Sequence, residues 1–552
     1  MIGVIAKSDQ AAAVEEFFQL FKTPWEFYQP GRTYDVVVVT SDDVPEVDAR
    51  LLVIYGANLR TIDARIGVAA RARRRGGSLT YRSSQLPVYG ELLTFEERDA
   101  AILRVSTTAE AAGLRIHGAN ITVMRLGYDL FDEVCYLLST GQPPDNAHIP
   151  TLDVHITMLR EWIVGAEITL LEIPAAPAGY SFAVSLTHDI DFGGMRSHLF
   201  DHTMWGFLYR STIGAVRNLL RGRLSMSRLF QSWRAAASLP FVFVGWAKDF
   251  WEPFDWYLTV ERNLPATYFV IPFKGRPGDK VAVPHPSRRA AAYDLADLAA
   301  GTTRLLREGC ELAVHGIDAW HSVERGQEEL KRVAGVNGKA SIGIRMHWLL
   351  FDQKTFRVLE EAGFAYDSTV GYNETVGYRS GTTQVFRPLG ARALLELPVH
   401  IQDGALFYPE RLDLSESEAW KRCSSLIDHA RECGGVLTTL WHDRSPGPER
   451  FWDNFYLRLV EALRLLDAWF ATAGQVVGWF RKRREVSFER VEGSDGAAQT
   501  RLRYHGEEIL PPLTVRVHRS SSTFVDIPWN GGTAIDVLRS AAPAATVVGS
   551  SL

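Results

Sequence analysis

Residues Leu186–Asp191 read LTHDID, at the end of an apolar run and just before Gly193 and Gly194. The run Phe182–Leu186 predicts a buried β-strand, so Asp189 and Asp191 sit where that strand stops. Two carboxylates side by side repel, and burying either without a partner is costly. A bound cation or a shared proton resolves both problems; the other reading is an Asp-rich turn capping a helix. Metal sites in proteins combine a few His and carboxylate ligands and leave a position open for water. The stretch ELAVHGIDAWHS (311–322) offers His315 and His321 as partners for Asp191. The two histidines are six residues apart, a spacing that does not suit one face of a helix. Both reach one ion only if the chain folds back at Gly316. Arg345 and His347 in GIRMHWLLFD (343–352), and His442 in LTTLWHD (437–443), complete the candidates. Taken singly, His442 reads as a histidine bonded to a backbone carbonyl, and Arg345 as a surface or helix-end cation.

The elements that must position these residues alternate along the chain. At 552 residues the protein is too long for one core. Residues 1–175 alternate strand signals (MIGVIA, YDVVVVTS, ARLLVIYG) with helix signals, one expected over 61–77, and predict a small Rossmann-like α/β domain. They contain neither a G-x-G-x-x-G nor a P-loop pattern, so nothing there points to a nucleotide. EIPAAPAGY (172–180) reads as a linker. Across 176–484, strands ending in polar residues alternate with helices, the way a (β/α) barrel builds an active site at one end. Residues 485–552 switch to polar–apolar alternation and predict a small antiparallel β module.

Composition narrows the class. With 46% hydrophobic and 23% charged residues, a formal net charge of −5 and a pI near 6.3, the chain is not a dedicated nucleic-acid binder. Cys135, Cys310, Cys423 and Cys433 form no close pair and are expected to be reduced. The N-terminus lacks the pattern of a secretory signal, and no apolar run is long enough to span a bilayer, which leads us to expect a cytoplasmic protein. One segment departs from this background. Residues 196–234 carry Arg196, Arg210, Arg217, Arg221, Arg223, Arg228 and Arg234 against the single acid Asp201, interleaved with Trp205, Phe207, Tyr209 and Trp233. Such a segment lies on an anionic membrane surface, or packs on the barrel with its arginines in water or along an anionic substrate groove.

In order along the chain, LTHDID, ERNLPATYFVIP (261–272), CELAVHG with IDAWH, GIRMHWLLFD with its following helix, and LLELPVHI (394–401) with LTTLWHD form a recognisable series. Over roughly 180–480 it resembles the polysaccharide deacetylase superfamily, whose motifs supply a catalytic-base aspartate, metal-ligand residues, an arginine and a late histidine. Two departures mark a divergent branch: the fourth residue after His315 is Ala319 rather than a histidine, and Met346 and His347 follow Arg345 where a proline is common.

The resemblance implies a distorted (β/α) barrel and a metal-dependent N-deacetylase acting on an amino sugar. Asp191, His315 and His321 would hold one divalent ion, zinc by its donor set, with cobalt, nickel or manganese as alternatives. Asp189 would be the catalytic base, Arg345 its ion-pair partner and His442 the general acid, oriented by Asp367 or Asp443. His188 is left as a further ligand or hydrogen-bond partner. Tyr372, Asn373, Arg379 and Arg387 in the 371–390 loop are groups that can hold a sugar or simply build a loop, and His347 is expected among the substrate contacts. The expected substrate is a precursor of a bacterial surface glycan, nucleotide- or lipid-linked. Two other readings share these residues: a glycan-binding protein on an inactive deacetylase fold, and a hydrolase of a non-sugar amide.

Overall fold

The computed structural model describes residues 1–96, 101–118, 120–252, 254–280, 289–492, 498–520, 523–532 and 534–538. The end of the expected C-terminal module, 539–552, lies outside the described residues.

The strand expected at 182–186 runs over Phe182–Ile190 and is buried along its whole length. It lies at the centre of a parallel sheet, between Ala266–Val270 on one side and Val436–His442 on the other. Glu311–Gly316, Gly343–Met346 and Tyr366–Asp367 continue the sheet beyond Ala266–Val270. Ile401–Gln402 pairs with Val436–His442 at the opposite edge. Residues 394–402 bridge the two edges. Asp367 N donates to Leu395 O and Leu397 N to Asp367 O at one end, while His400 N donates to Thr438 O at the other. The expected barrel is therefore an irregular ring of short parallel strands, tied together by an extended segment rather than a full strand. Strands buried on both faces need continuous apolar sequence, which FAVSL and ATYFV supply.

Among the described residues the N-terminal sheet has nine strands. Its first half, Trp25–Phe27, Ile2–Ile5, Val36–Val39, Leu51–Tyr55 and Thr122–Leu126, is parallel, as an α/β domain requires. The second half is antiparallel and corrects the helix expected over 61–77. The helix stops at Arg65, and Ala70–Tyr81 forms a long strand paired with Ser84–Phe95. The sequence ARARRRGG alternates half-buried and exposed side chains, a period of two that suits a sheet. Arg73 pairs with Glu91, and Arg71 and Arg74 with Glu110, across that surface.

The last strands form two small antiparallel sheets. Leu513–Ser520 pairs both with Thr523–Trp529 and with Leu170–Glu172, just ahead of the expected linker, and Ala498–Arg503 lies between Ser487–Glu492 and Ile535–Leu538. Buried Arg483 fastens the helix Ala11–Phe21 to this region, donating to Gln19 O and Leu20 O at its end and to Ile173 O. Those carbonyls at a helix end are unsatisfied within the helix, and a guanidinium fork can reach several at once. The four cysteines are free thiols. Among the described residues no helix is long and apolar enough to cross a membrane.

Candidate metal centre and catalytic cleft

Strand alternation decides which residues of LTHDID face the ring interior. Thr187, Asp189 and Asp191 fall on one side and His188 on the other. His188 is buried behind the strand, with Nε2 2.7 Å from Glu261 Oε1 and Nδ1 3.2 Å from Trp441 O. It packs on Tyr257 and Tyr268 and belongs to the core.

Asp189 is held by Arg345, itself fully buried on Gly343–Met346. Nη1 donates to Asp189 Oδ1 at 2.9 Å and to Thr187 Oγ1 at 2.8 Å. Nε donates to Ser368 O at 3.0 Å and Nη2 to Ser368 Oγ at 2.9 Å. The guanidinium lies over the Phe269 ring, 4.2 Å from its centroid. Every arm of the fork but one hydrogen is thus engaged, and one Asp189 oxygen is left free of the arginine.

Asp191 lies just past the strand end. Gly193 follows with φ +65°, and a Cβ there would sit 2.5 Å from the Tyr293 ring. The turn also lets Phe192 N and Gly193 N donate to Asp443 Oδ2 at 3.0 and 2.8 Å. Burial and the charge of Asp191 push the Asp443 carboxyl up to about 7. Asp443 therefore braces the Asp191 turn rather than orienting His442.

One ligand atom each from Asp191, His315 and His347 lie within 4.8 Å of one another, a group that could hold a metal ion. Asp191 Oδ1 is buried without a hydrogen-bond partner, 3.3 Å from His315 Nε2 and 3.6 Å from His347 Nε2. His315 Nδ1 is 3.0 Å from Arg345 O, so its proton points to the carbonyl and the Nε2 lone pair faces Asp191. One carboxylate and two imidazoles are a donor set that fits zinc and its neighbours. Burial opposes ionisation of Asp191, but His347, His315 and His442 hold its carboxyl well below the usual range. Burial lowers His347 to about 4.

His321 is not in this group, which corrects the expected third ligand. Its Nε2 lies 3.6 Å from both Asp279 Oδ2 and Asp318 Oδ1, in a separate cluster. Glu329 accepts from Ile317 N and Asp318 N, which carries the chain away from His315 instead of back over it. Arg289 Nη1 lies 3.6 Å from Asp318 and already balances that carboxylate. His347, expected to touch substrate, takes the position beside Asp191. The signal was in the sequence: Arg345-x-His347 at a strand end puts both side chains on one face. Trp348 and Leu349 then adopt φ of +66° and +51°, and Asn373 Nδ2 donates to Trp348 O at 2.8 Å. Two consecutive left-handed non-glycine residues are a strained turn, which Asn373 helps to hold.

His442 approaches from the opposite side, with Nε2 3.8 Å from Asp191 Oδ2. Its Nδ1 lies 2.6 Å from Asp403 Oδ1, and its backbone N donates to Asp403 Oδ2 at 2.8 Å. Ser445 Oγ also donates to Asp403. Burial alone would depress the imidazole, but Asp403 and the two cleft aspartates carry it to about 10. Asp403 was missed from sequence, since it follows the short strand Ile401–Gln402 and nothing near His442 announces it. Asp367 instead faces Glu396 and accepts from Ser368 N and Thr369 Oγ1.

Asp189, Asp191, His315, His347 and His442 line one cleft of about 590 Å³. Asn373, Tyr408, Arg411 and Arg450 form part of its walls, as do His202 and Thr203. Tyr372 and Arg379 do not reach it. Tyr372 Oη donates to Gln142 O at 2.7 Å, and Arg379 donates to Gly371 O beside the Phe351 ring. Arg387 N donates to Glu16 Oε1. Tyr372 and Arg387 brace the barrel against the N-terminal domain, while the Arg379 side chain ties together segments of the barrel itself.

No family model and no curated protein matches the chain. Solved structures do. A protein assigned as a polysaccharide deacetylase from Mycobacterium smegmatis is 20% identical, over 56% of this chain and 95% of that one, with a TM-score of 0.33. Another so assigned, from Pseudomonas aeruginosa PAO1, is 15% identical over 56% and 94%, with a TM-score of 0.35. Puue allantoinase is 14% identical over 55% and 92%, with a TM-score of 0.32. These are solved structures to which the chain is similar, each over a little more than half of its own length.

Proposed function

We propose that this protein is a metal-dependent hydrolase that removes an N-acyl group, most simply acetyl, from an amino sugar. One observation carries the reading: a buried carboxylate–arginine pair, a carboxylate with two imidazoles, and an imidazole–carboxylate pair all converge on one cleft.

A divalent cation held by Asp191, His315 and His347 would supply Lewis-acid polarisation of the acyl carbonyl and a more acidic water. The chain's own residues do the rest. Arg345 pins Oδ1 of Asp189, leaving Oδ2 to take the proton of the attacking water. With Nδ1 directed at Asp403, His442 presents Nε2 to the cleft and can give a proton to the leaving amine. Without that proton an amine is a poor leaving group. Asp189 and His442 thus act on the two ends of the scissile amide from opposite walls. Tyr408 and Trp348 offer aromatic surface for a sugar ring. The expected source of that sugar is a precursor of a bacterial surface glycan.

The test is release of acetate from N-acetylated amino sugars by protein loaded with zinc or cobalt, with Asp189→Asn in parallel. Turnover by the wild type and none by the variant supports the reading. Sugar binding without turnover under any metal overturns it in favour of a glycan-binding protein.

A further inference from the structure

Thirteen of the twenty-four large hydrophobic side chains exposed among the described residues fall between Leu199 and Trp246. They are not scattered. Trp205, Tyr209, Ile213, Val216 and Leu220 recur every three or four residues along the helical stretch 202–220, which contains a π-turn at Arg210–Gly214. Met226, Phe230, Trp233, exposed Ala237, Phe241 and Val244 do the same along the helix Met226–Phe243 and just past its end. Each helix already buries another stripe inward, Met204, Phe207 and Ala215 on the first and Leu229, Ala235, Leu239 and Val242 on the second. A water-exposed helix needs only one apolar face. Here the outward face is apolar as well.

The two outward stripes form one surface. They meet at an open, almost wholly apolar groove of about 650 Å³, walled by Ile213, Val216 and Leu220 from one helix and Trp233 and Ala236 from the other. Leu220, Trp246 and Phe200 are 83, 81 and 72% exposed, and they belong to one contiguous patch rather than standing singly.

Charge chooses the occupant. Seven arginines and one acid lie in 196–234, within a chain whose formal net charge is −5. Arg217, Arg221 and Arg234 are exposed and have no ion-pair partner among the described residues, and Arg217 stands on the rim of the groove. A second copy meeting this face two-fold would set the same arginines against each other. Cationic side chains around exposed tryptophan and leucine match the headgroup and acyl layers of an anionic bilayer.

We infer that residues 199–246 dock this protein on an anionic lipid surface, with the outward stripes in the acyl boundary and Arg217, Arg221 and Arg234 among the headgroups. The same insertion contributes His202 and Thr203 to the catalytic cleft, so docking brings the cleft to the bilayer. The consequence for substrate, an amino sugar carried on a lipid, rests on the deacylation reading above.

The experiment is co-sedimentation of the full chain with vesicles of phosphatidylcholine alone or mixed with phosphatidylglycerol. Binding is expected to the mixed vesicles, weakened by salt. Arg217→Ser with Arg221→Ser should lower partition about 25-fold, at about fivefold per arginine. Leu220→Ser with Trp233→Ser should abolish it. Both pairs should keep their metal content and their turnover of a water-soluble N-acyl amino sugar, while losing turnover of the same sugar on a lipid in vesicles. His315→Ala should keep vesicle binding, so a failure of the deacylation reading leaves the docking result standing. No binding to mixed vesicles, or equal binding to both kinds, overturns the inference. So does a dimer that the Leu220→Ser/Trp233→Ser pair dissociates, because a second copy would then cover the face.

Discussion

His347 Nε2 lies 3.6 Å from Asp191 Oδ1, although they are 156 positions apart and each follows the end of a strand that does not neighbour the other's. The His315 strand stands between, and its imidazole lies 3.3 Å from the same oxygen. Three strands thus deliver one donor each to a point just beyond the end of the sheet.

That arrangement separates two histidines that sequence spacing would pair. Asp191→Ala, His315→Ala and His347→Ala should each lose stoichiometric metal, read by elemental analysis of purified protein, while His321→Ala keeps it. Loss of metal in His321→Ala alone would move the centre to the Asp279–Asp318 cluster.

Arg345 matters to the fold as well as to the cleft. Removing one partner of a buried ion pair leaves an uncompensated charge, at a cost of about 3–5 kcal/mol. Arg345→Ala should therefore lower the free energy of unfolding, read from urea titration, by about that amount, with loss of activity. Arg345→Lys should recover little of either, because an ammonium cannot reach Asp189, Thr187 and both Ser368 acceptors together.

The His442–Asp403 pair should act on the leaving group. His442→Ala is expected to lower kcat on an N-acyl amino sugar by about 10²–10⁴. On an aryl acetate, whose phenolate leaves without a proton, the loss should be small. Asp403→Asn should follow the same pattern with a smaller effect, as a positioning residue. Equal losses on both substrates would place His442 in binding rather than proton transfer.

Away from the cleft, His155 makes stability depend on acid. Its Nδ1 lies 3.3 Å from Tyr128 Oη in a fully buried site, and burial lowers its pKa from 6.5 to about 3. Below about pH 6.5 the unfolded chain takes up a proton that the folded chain refuses. Stability contributed by the neutral ring is therefore complete above that pH and is lost as pH falls toward 3. At about 1.4 kcal/mol per pH unit, the loss at pH 4 is on the order of 3 kcal/mol. Urea midpoints of His155→Gln should fall less between neutral pH and pH 4 than those of the wild type.

Much of the site can be read along the chain because strands impose a period of two. The apolar run before LTHDID places Asp189 and Asp191 at a strand end on one face, and LTTLWHD does the same for His442. Arg345 could be assigned to Asp189 through the order of the motifs. Composition likewise marked 196–234 as unlike the rest.

What remained was decided by how the chain turns between strands. His321 is near His315 in sequence, yet Glu329 binds the intervening backbone and directs it away. Asp403 and His347 are far from their partners in sequence and meet them only because short strands pair in parallel. The run at 70–81 became a strand because Ser84–Phe95 was there to pair with it, which local propensity does not record. Sequence alone determined the chemical groups and their side of each strand, because those are local properties of the backbone. The tertiary structure decided which groups share an ion, a proton or a wall of the cleft, because those depend on crossings between distant segments.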